Sequence, residues 1–99
     1  QILKNHPQVE GIIYSVDLLA VGGLQELKAQ GRTVPDDVAV IGIDNTLYGK
    51  ICTPQLTTLD NKLVEVSKNA SRLLLDAMEK REVSHKMLLF TEIIIRQST

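Results

Sequence analysis

Residues 34–45 read VPDDVAVIGIDN, and this stretch decides the fold class. Its first four residues include Pro35 and two aspartates, which are typical of a turn because proline fixes φ and aspartate bonds to nearby backbone. The next six residues, VAVIGI at 38–43, are apolar without alternation. Such a run is expected for a parallel strand that helices cover on both faces. The stretch therefore predicts a buried strand that ends at a carboxylate, Asp44.

Asp44 is the first candidate functional residue because of its place at the strand end. In open α/β sheets, ligands bind outside the carboxyl ends of the strands, where side chains are exposed on a fixed backbone. The local sequence is equally consistent with a turn aspartate whose carboxylate accepts bonds from Thr46 or nearby amides. These two interpretations stay open from the residues alone.

The chain before this stretch predicts a strand followed by a helix. GIIYSV at 11–16 is a β-branched and aromatic run, and a helical pattern starts at Asp17 and ends at Gly31, where a C-cap belongs. The apolar residues at helical spacing are Ala20, Leu24 and Leu27. Asp17 is suited to cap this helix, and it also follows a strand, which makes it a second candidate for the ligand site.

The chain after this stretch predicts one more helix and two more strands. Residues 44–56 are irregular with room for one helical turn, 56–61 is a short strand or crossover, and 62–80 is an amphipathic helix. The apolar triplets within 87–95 predict one long or interrupted strand. The order β-α-β, then β-α-β, predicts an α/β fold with a mainly parallel sheet flanked by helices.

Composition excludes several classes of function. The 99 residues carry 11 basic and 12 acidic side chains without a cluster of one sign, which argues against a surface built for DNA. No apolar run approaches the length of a membrane span. His6, His85 and Cys52 lack metal-ligand spacing, and the nucleophile-elbow and phosphate-loop motifs are missing, so neither a metal, a cofactor nor an enzyme is expected. The start lacks an initiator Met and predicts the inside of a longer protein.

Five segments in a fixed order resemble the C-terminal part of the effector-binding core of LacI/GalR-family transcription regulators. That core has a fold like that of periplasmic sugar-binding proteins. The segments are VDLLAVGGLQELKAQG (16–31), VPDDVAVIGIDN (34–45), TPQLTTLDN (53–61), the long helix after it and IIIRQST (93–99). The resemblance covers nearly the whole chain.

The resemblance implies part of a two-lobed sensor that closes on a small molecule, usually a sugar or a nucleobase. Residues 1–58 and 87–99 are then most of the C-terminal lobe, and 59–86 are a crossover with a helix that packs on the other lobe. In this chain the apolar stripe of that helix requires the missing lobe, a refolded packing or an oligomer to cover it.

The resemblance also implies a set of ligand-binding residues. The acid that ends the family's V-I-G-x-D strand binds ligand hydroxyls and falls on Asp44. Asn61 stands where the family often has Gln, although it is also suited to cap the long helix. Val16 stands before Asp17, where a polar residue is common, and with Leu63 it is expected to line the pocket apolarly.

Dimer contacts in the family come from the first helix and the segment after the strand-end acid. The matching residues are Val21, Leu24, Tyr48, Ile51 and Cys52, which could equally be ordinary core residues. The implied protein is a cytoplasmic homodimer that reads operator DNA through an N-terminal helix-turn-helix outside this chain, without a membrane partner. The alternative is a periplasmic sugar receptor of a transport system, and a signal peptide upstream instead of a helix-turn-helix would identify it.

Overall fold

The computed structural model describes residues 1–82 and 86–99, which form one four-stranded sheet and four helices. The strands are β1 (Gly11–Ile13), β2 (Ala39–Ile43), β3 (Thr57–Asp60) and β4 (Glu92–Ile94). The helices are α1 (Ile2–Asn5), α2 (Asp17–Ala29), α3 (Leu47–Ile51) and α4 (Leu63–Met78). Within the described residues, no helix is both long enough and apolar enough to cross a membrane.

The sheet has the spatial order β1-β2-β3-β4 and is mostly parallel. β1 pairs with β2, and β2 pairs with β3, in parallel register, whereas β4 runs antiparallel to β3 with Leu59 opposite Ile93. The predicted α/β fold with a mainly parallel sheet and flanking helices is confirmed. The apolar run at 38–43 forms an inner strand of this sheet, but its burial alternates along β2. The face toward α2 is buried and the opposite face is half-buried, so the expected full cover on both faces is wrong for the described residues.

The core lies between α2 and the sheet. Its six buried apolar residues are Ala20, Leu24, Leu27, Val38, Val40 and Leu56. The three that come from α2 are the residues whose spacing predicts the helix. Burying one Leu or Val side chain stabilises a fold by about 1.5 to 3 kcal/mol, so each of the larger residues in this cluster contributes substantially to stability.

Helix α4 has no buried residue, unlike α2. Its exposed apolar side chains include Leu74 at 62% and Met78 at 70% of full exposure. The described chain extends 58 Å along its longest axis against 27 and 17 Å along the others. The apolar stripe of α4 is therefore uncovered in the described structure.

The predicted strand over 87–95 is wrong in length. Only Glu92–Ile94 is a strand, and residues 86–91 have no regular structure. β4 pairs with the last three residues of β3. Within residues 1–82 and 86–99, no strand pairs with the earlier apolar triplet. Phe90 within it is 94% exposed. The first strand is likewise shorter than 11–16, although Tyr14 still donates its N–H to the carbonyl of Ile41 at 2.8 Å.

Candidate functional site

Asp44 lies directly after β2 at the carboxyl edge of the parallel strands. Its φ is 100°, and its N–H donates to the carbonyl of Leu59 at 2.8 Å, so β3 holds its backbone. Its half-buried carboxylate accepts one hydrogen bond, from the side-chain amide of Asn61 at 3.1 Å. The turn interpretation with Thr46 as the donor is wrong, because the Thr46 N–H donates to Asp17 instead. A side chain, not the local backbone, orients the Asp44 carboxylate.

Asn61 does not cap α4. The N-cap is Lys62, in the left-handed region with φ 54°, and it makes no side-chain cap bond. Its N–H donates to Oδ1 of Asp60 at 2.7 Å. Because β3 ends at Asp60 and the chain turns at once, the carboxylate two residues back reaches this N–H. The prediction of Asn61 as a cap is therefore wrong, and its amide is available to Asp44.

A cavity of about 300 Å³ opens beside Asp44. Its lining residues are Asp44, Asn45, Asp60, Lys62, Leu63, Val64 and Glu65. The volume is at the lower end of the range of small-molecule sites, about 300 to 1,000 Å³. Two of the predicted ligand residues, Asp44 and Leu63, thus share one cavity, and Asn61 joins them through its hydrogen bond. Three carboxylates and one ammonium group around this space favour a ligand that donates hydrogen bonds.

Asp17 is fully buried and occupies a different place from the cavity lining. Its carboxylate accepts bonds from the N–H and the hydroxyl of Thr46, at 2.6 and 3.0 Å, and from the hydroxyl of Thr58 at 2.6 Å. The helix cap prediction is wrong, because Asp17 is the first helical residue and Val16 is the N-cap. The carboxylate faces inward against Gly42, where a Cβ atom would collide with its Oδ1. Asp17 therefore ties α2 to the start of α3 and to β3.

Val16 is half-buried at the start of α2, and it is not among the residues that line the cavity beside Asp44. Its carbonyl accepts the N–H of Ala20 at 3.2 Å, which begins the helix. Of the five predicted ligand residues, Asp44, Asn61 and Leu63 lie together, whereas Val16 and Asp17 do not line the cavity. Their role toward a ligand stays a prediction.

Three neighbours of Asp44 were not predicted from the sequence: Asn45, Asp60 and Arg96. The side-chain amide of Asn45 donates to Oδ2 of Asp60 at 3.2 Å, and its carbonyl oxygen accepts from Nη2 of Arg96 at 2.6 Å. For Asn45 and Asp60 the sequence did contain a signal, since both are polar residues at the ends of adjacent strands. Nothing in the linear sequence indicates that Arg96, in the C-terminal segment, reaches the same place.

Hydrogen bonds at the start of α4 shift the pKa values of Asp60 and Lys62. The backbone N–H of Lys62 lowers the pKa of Asp60, with further help from the Asn45 amide and against the effect of burial. The hydrogen bond to Glu92, at 2.8 Å, raises the pKa of Lys62. At neutral pH the cavity rim therefore carries an ionised Asp60 beside a protonated Lys62.

All five predicted dimer residues line one groove of about 250 Å³ between α2 and α3. Tyr48 and Ile51 are 52% and 69% exposed, whereas Leu24 is 5% exposed and belongs to the core. Cys52 is partly buried against that core, and its thiol lies 3.2 Å from the carbonyl oxygen of Pro54. Tyr48 and Ile51 therefore form the accessible part of the groove, and the dimer contact itself stays a prediction.

Among residues 1–82 and 86–99, no three His, Cys, Asp or Glu side chains are grouped closely enough to hold a metal ion. His85, one of the residues considered for metal binding, lies outside the described part of the chain.

The comparisons with known proteins agree on one family. The model of the periplasmic binding protein-like domain matches residues 1–99. The repressor CytR of Escherichia coli strain K12 is 42% identical over 84 residues, which are 84% of this chain and 25% of CytR.

Two solved structures show the same fold. The transcriptional regulator CelR in complex with cellobiose superimposes with a TM-score of 0.93 at 28% identity, over 99% of this chain and 30% of that one. A LacI family regulator of Arthrobacter sp. FB24 in complex with lactose gives 0.88 at 35% identity, over 99% and 37%. This chain thus spans about a quarter to two fifths of its relatives. The chain belongs to the periplasmic binding protein-like domain family and corresponds to part of the effector-binding core of LacI-family regulators.

Proposed function

We propose that this chain is the sugar-sensing and dimerisation segment of a LacI-type transcription regulator, with Asp44 as the acceptor for ligand hydroxyls. The observation that carries the proposal is the Asp44 carboxylate, held by Asn61 at the rim of a cavity on the carboxyl edge of the sheet. The cellobiose and lactose complexes of the two similar regulators support a sugar as the ligand class.

The chemistry of the rim matches a neutral ligand with many hydroxyl groups. An ionised carboxylate accepts hydrogen bonds worth about 1.5 to 3 kcal/mol each. Asp44, Asp60 and Glu65 together repel an anionic ligand, since only Lys62 among the lining residues is positively charged. Leu63 contributes apolar contact to the sugar ring and Asn61 a second polar group, while Asp17 holds the loop after Asp44 through its bonds with Thr46.

The remainder of the proposal concerns parts of the protein outside this chain. Residues 1–58 and 87–99 belong to one lobe, and 59–86 cross to the second lobe, which covers α4. A net charge of −1 leaves operator binding to an N-terminal helix-turn-helix, in a homodimer joined through the groove of Tyr48 and Ile51. Such a regulator works in the cytoplasm without catalysing a reaction, and its effector changes operator affinity by about 1 to 3 kcal/mol.

The test is a thermal-shift screen of the intact protein with cellobiose, lactose and free nucleobases, followed by titration of Asp44→Ala. We expect the variant to bind the stabilising ligand about tenfold to a hundredfold more weakly, because it loses an ionised acceptor. Asp36→Ala is the matched control, since Asp36 is an exposed carboxylate before β2 at the other end of that strand. Unchanged affinity in Asp44→Ala would contradict the assignment of Asp44.

A further inference from the structure

The loop that carries Asp44 has an unusual backbone. Asp44 and Asn45 are consecutive residues with φ of 100° and 50°, in a region that non-glycine residues rarely adopt. Such conformations persist where surrounding contacts hold them, and they concentrate at functional sites. The contacts that hold this loop are therefore candidates for a functional role.

Asn45 is held through three polar groups. Its backbone N–H donates to the hydroxyl of Thr58 at 3.2 Å. Its side-chain amide donates to Asp60 at 3.2 Å, and its side-chain oxygen accepts from Arg96 at 2.6 Å. The second guanidinium nitrogen of Arg96 donates to the carbonyl of Leu56 at 2.7 Å, so the residue directly before β3 helps to fix the direction of the guanidinium group.

The chain of contacts continues from Asn45 to the start of α4. Asp60 receives the Asn45 amide on one carboxylate oxygen and the Lys62 N–H on the other, at 3.2 and 2.7 Å. Lys62 is the left-handed residue from which α4 begins, and its ammonium group bonds to Glu92 of β4. Two side-chain amides thus link the Asp44 loop to the start of α4. Asn45 bonds to Asp60, and Asn61, which precedes Lys62 in the chain, bonds to the Asp44 carboxylate.

We propose that Asn45, oriented by Arg96, is a positioning residue that fixes the Asp44 loop and the start of α4 as one unit. This inference rests on the proposed function where it concerns ligand affinity, since Asp44 is the proposed acceptor. A ligand that bonds to Asp44 then also acts on the orientation of α4, because Asn45 and Asp60 connect the two places. Arg96 acts through Asn45 and does not line the cavity.

The test uses two variants of the intact protein. Asn45→Gly removes the side-chain amide but keeps the left-handed backbone without strain, because glycine adopts positive φ freely. Arg96→Met removes the guanidinium group and keeps a long side chain. The main readout is hydrogen exchange of the Lys62 amide, which needs no ligand and reports on the Asp60 carboxylate directly.

We expect Asn45→Gly to speed exchange of the Lys62 amide about tenfold, because Asp60 loses the donor that orients it. Arg96→Met has a smaller effect in the same direction, and the double variant exchanges no faster than Asn45→Gly alone, since both residues act through one contact. The control is Val38→Ala, which opens a cavity in the core near the start of β2 and lowers the melting temperature without speeding the Lys62 amide.

The second readout is the affinity for cellobiose and lactose, which we expect to fall about tenfold in Asn45→Gly and to stay unchanged in Val38→Ala. Unchanged exchange of the Lys62 amide in both Asn45→Gly and Arg96→Met overturns the inference, whether or not the affinity for the sugars changes. Equal acceleration in Val38→Ala also overturns it, because the contacts would then only stabilise the fold. If Asp44→Ala leaves sugar binding intact while Lys62 exchange responds as expected, the proposed function fails and the positioning role stands.

Discussion

Helices α2 and α4 are both amphipathic, and only α2 is used to build the core. α2 has 13 residues and buries four of them, whereas α4 has 16 residues and buries none. The apolar spacing of α4 is the more regular of the two in the sequence. Regular spacing therefore predicts that a helix has an apolar face, but it does not predict what covers that face.

The difference divides the described chain into a sheet region, residues 1–60 and 92–99, and an α4 region, residues 61–82 and 86–91. The sheet region contains every buried residue of the chain that the structure describes. The α4 region is joined to it through Asn61 and Lys62, beside the Asp44 cavity. An uncovered stripe of this length is typical of an association surface, which agrees with the proposal that a second lobe packs there.

The largest expected effect comes from a substitution in the core of the sheet region. Leu27→Ala, at a side chain that is 1% exposed, should lower the free energy of unfolding by about 2 to 5 kcal/mol through lost burial and a cavity. Leu74→Ala in α4 is the matched control, and it should cost less than about 0.5 kcal/mol in the 99-residue chain. Urea unfolding of both variants measures the contrast.

The same pair also tests the cover of α4 in the intact protein. There Leu74→Ala should become strongly destabilising, because the proposed second lobe buries that side chain. Equal, small effects of Leu74→Ala in the 99-residue chain and in the intact protein would contradict a covering lobe.

A middle-sized effect concerns the close approach of α2 to the sheet. A Cβ atom at Gly42 would collide with the Asp17 carboxylate and with Leu56, so Gly42→Ala should destabilise by about 1 to 3 kcal/mol. Gly22 in α2 is the matched control, because it has open space around it. Gly22→Ala should stabilise by about 0.5 to 1 kcal/mol, since alanine favours a helix interior. Thermal unfolding of the two variants shows whether each substitution raises or lowers the stability of the fold.

If Gly42→Ala is neutral, Asp17 is free to move away from β2, and the tight link between α2 and the sheet edge is wrong. If Gly22→Ala destabilises, another part of the intact protein packs against that face of α2.

The smallest expected effect lies at the junction of the two regions and depends on pH. Contacts in the folded protein lower the pKa of Asp60 below its ordinary value of 3.8, so its contribution to stability is present above that value. This contribution is lost as the pH falls through the lower, folded pKa. Asp60→Asn should therefore flatten the acid side of the stability profile, measured as urea midpoints from neutral pH to below pH 3.8.

Glu65→Gln is the control for that experiment, because Glu65 lines the same cavity but receives no hydrogen bond from Asn45 or Lys62. An equal change of the acid profile in both variants would show that general charge repulsion, and not the Asp60 contacts, sets it.

The sequence predicted the positions of Asp44, Asn61 and Leu63 in the fold more accurately than the hydrogen-bond partners of the candidate residues. The strand-end position of Asp44 was sufficient to place it at the sheet edge, and Asn61 and Leu63 followed from their places after β3 and at the start of α4. The cap roles of Asp17 and Asn61 were wrong, because capping was inferred from residue type and local position alone. Both side chains instead contact residues far along the chain, Thr58 for Asp17 and Asp44 for Asn61.

The sequence by itself determined the fold class, the central strand, the two long helices and the acid at the strand end. These features depend on local spacing and on turn chemistry, which neighbouring residues decide. Only the tertiary structure decided the length of β4, the burial of Asp17 against Gly42, the link of Arg96 to Asn45 and the uncovered face of α4. Each of these depends on groups that are distant in sequence, and a linear pattern does not record which of them meet.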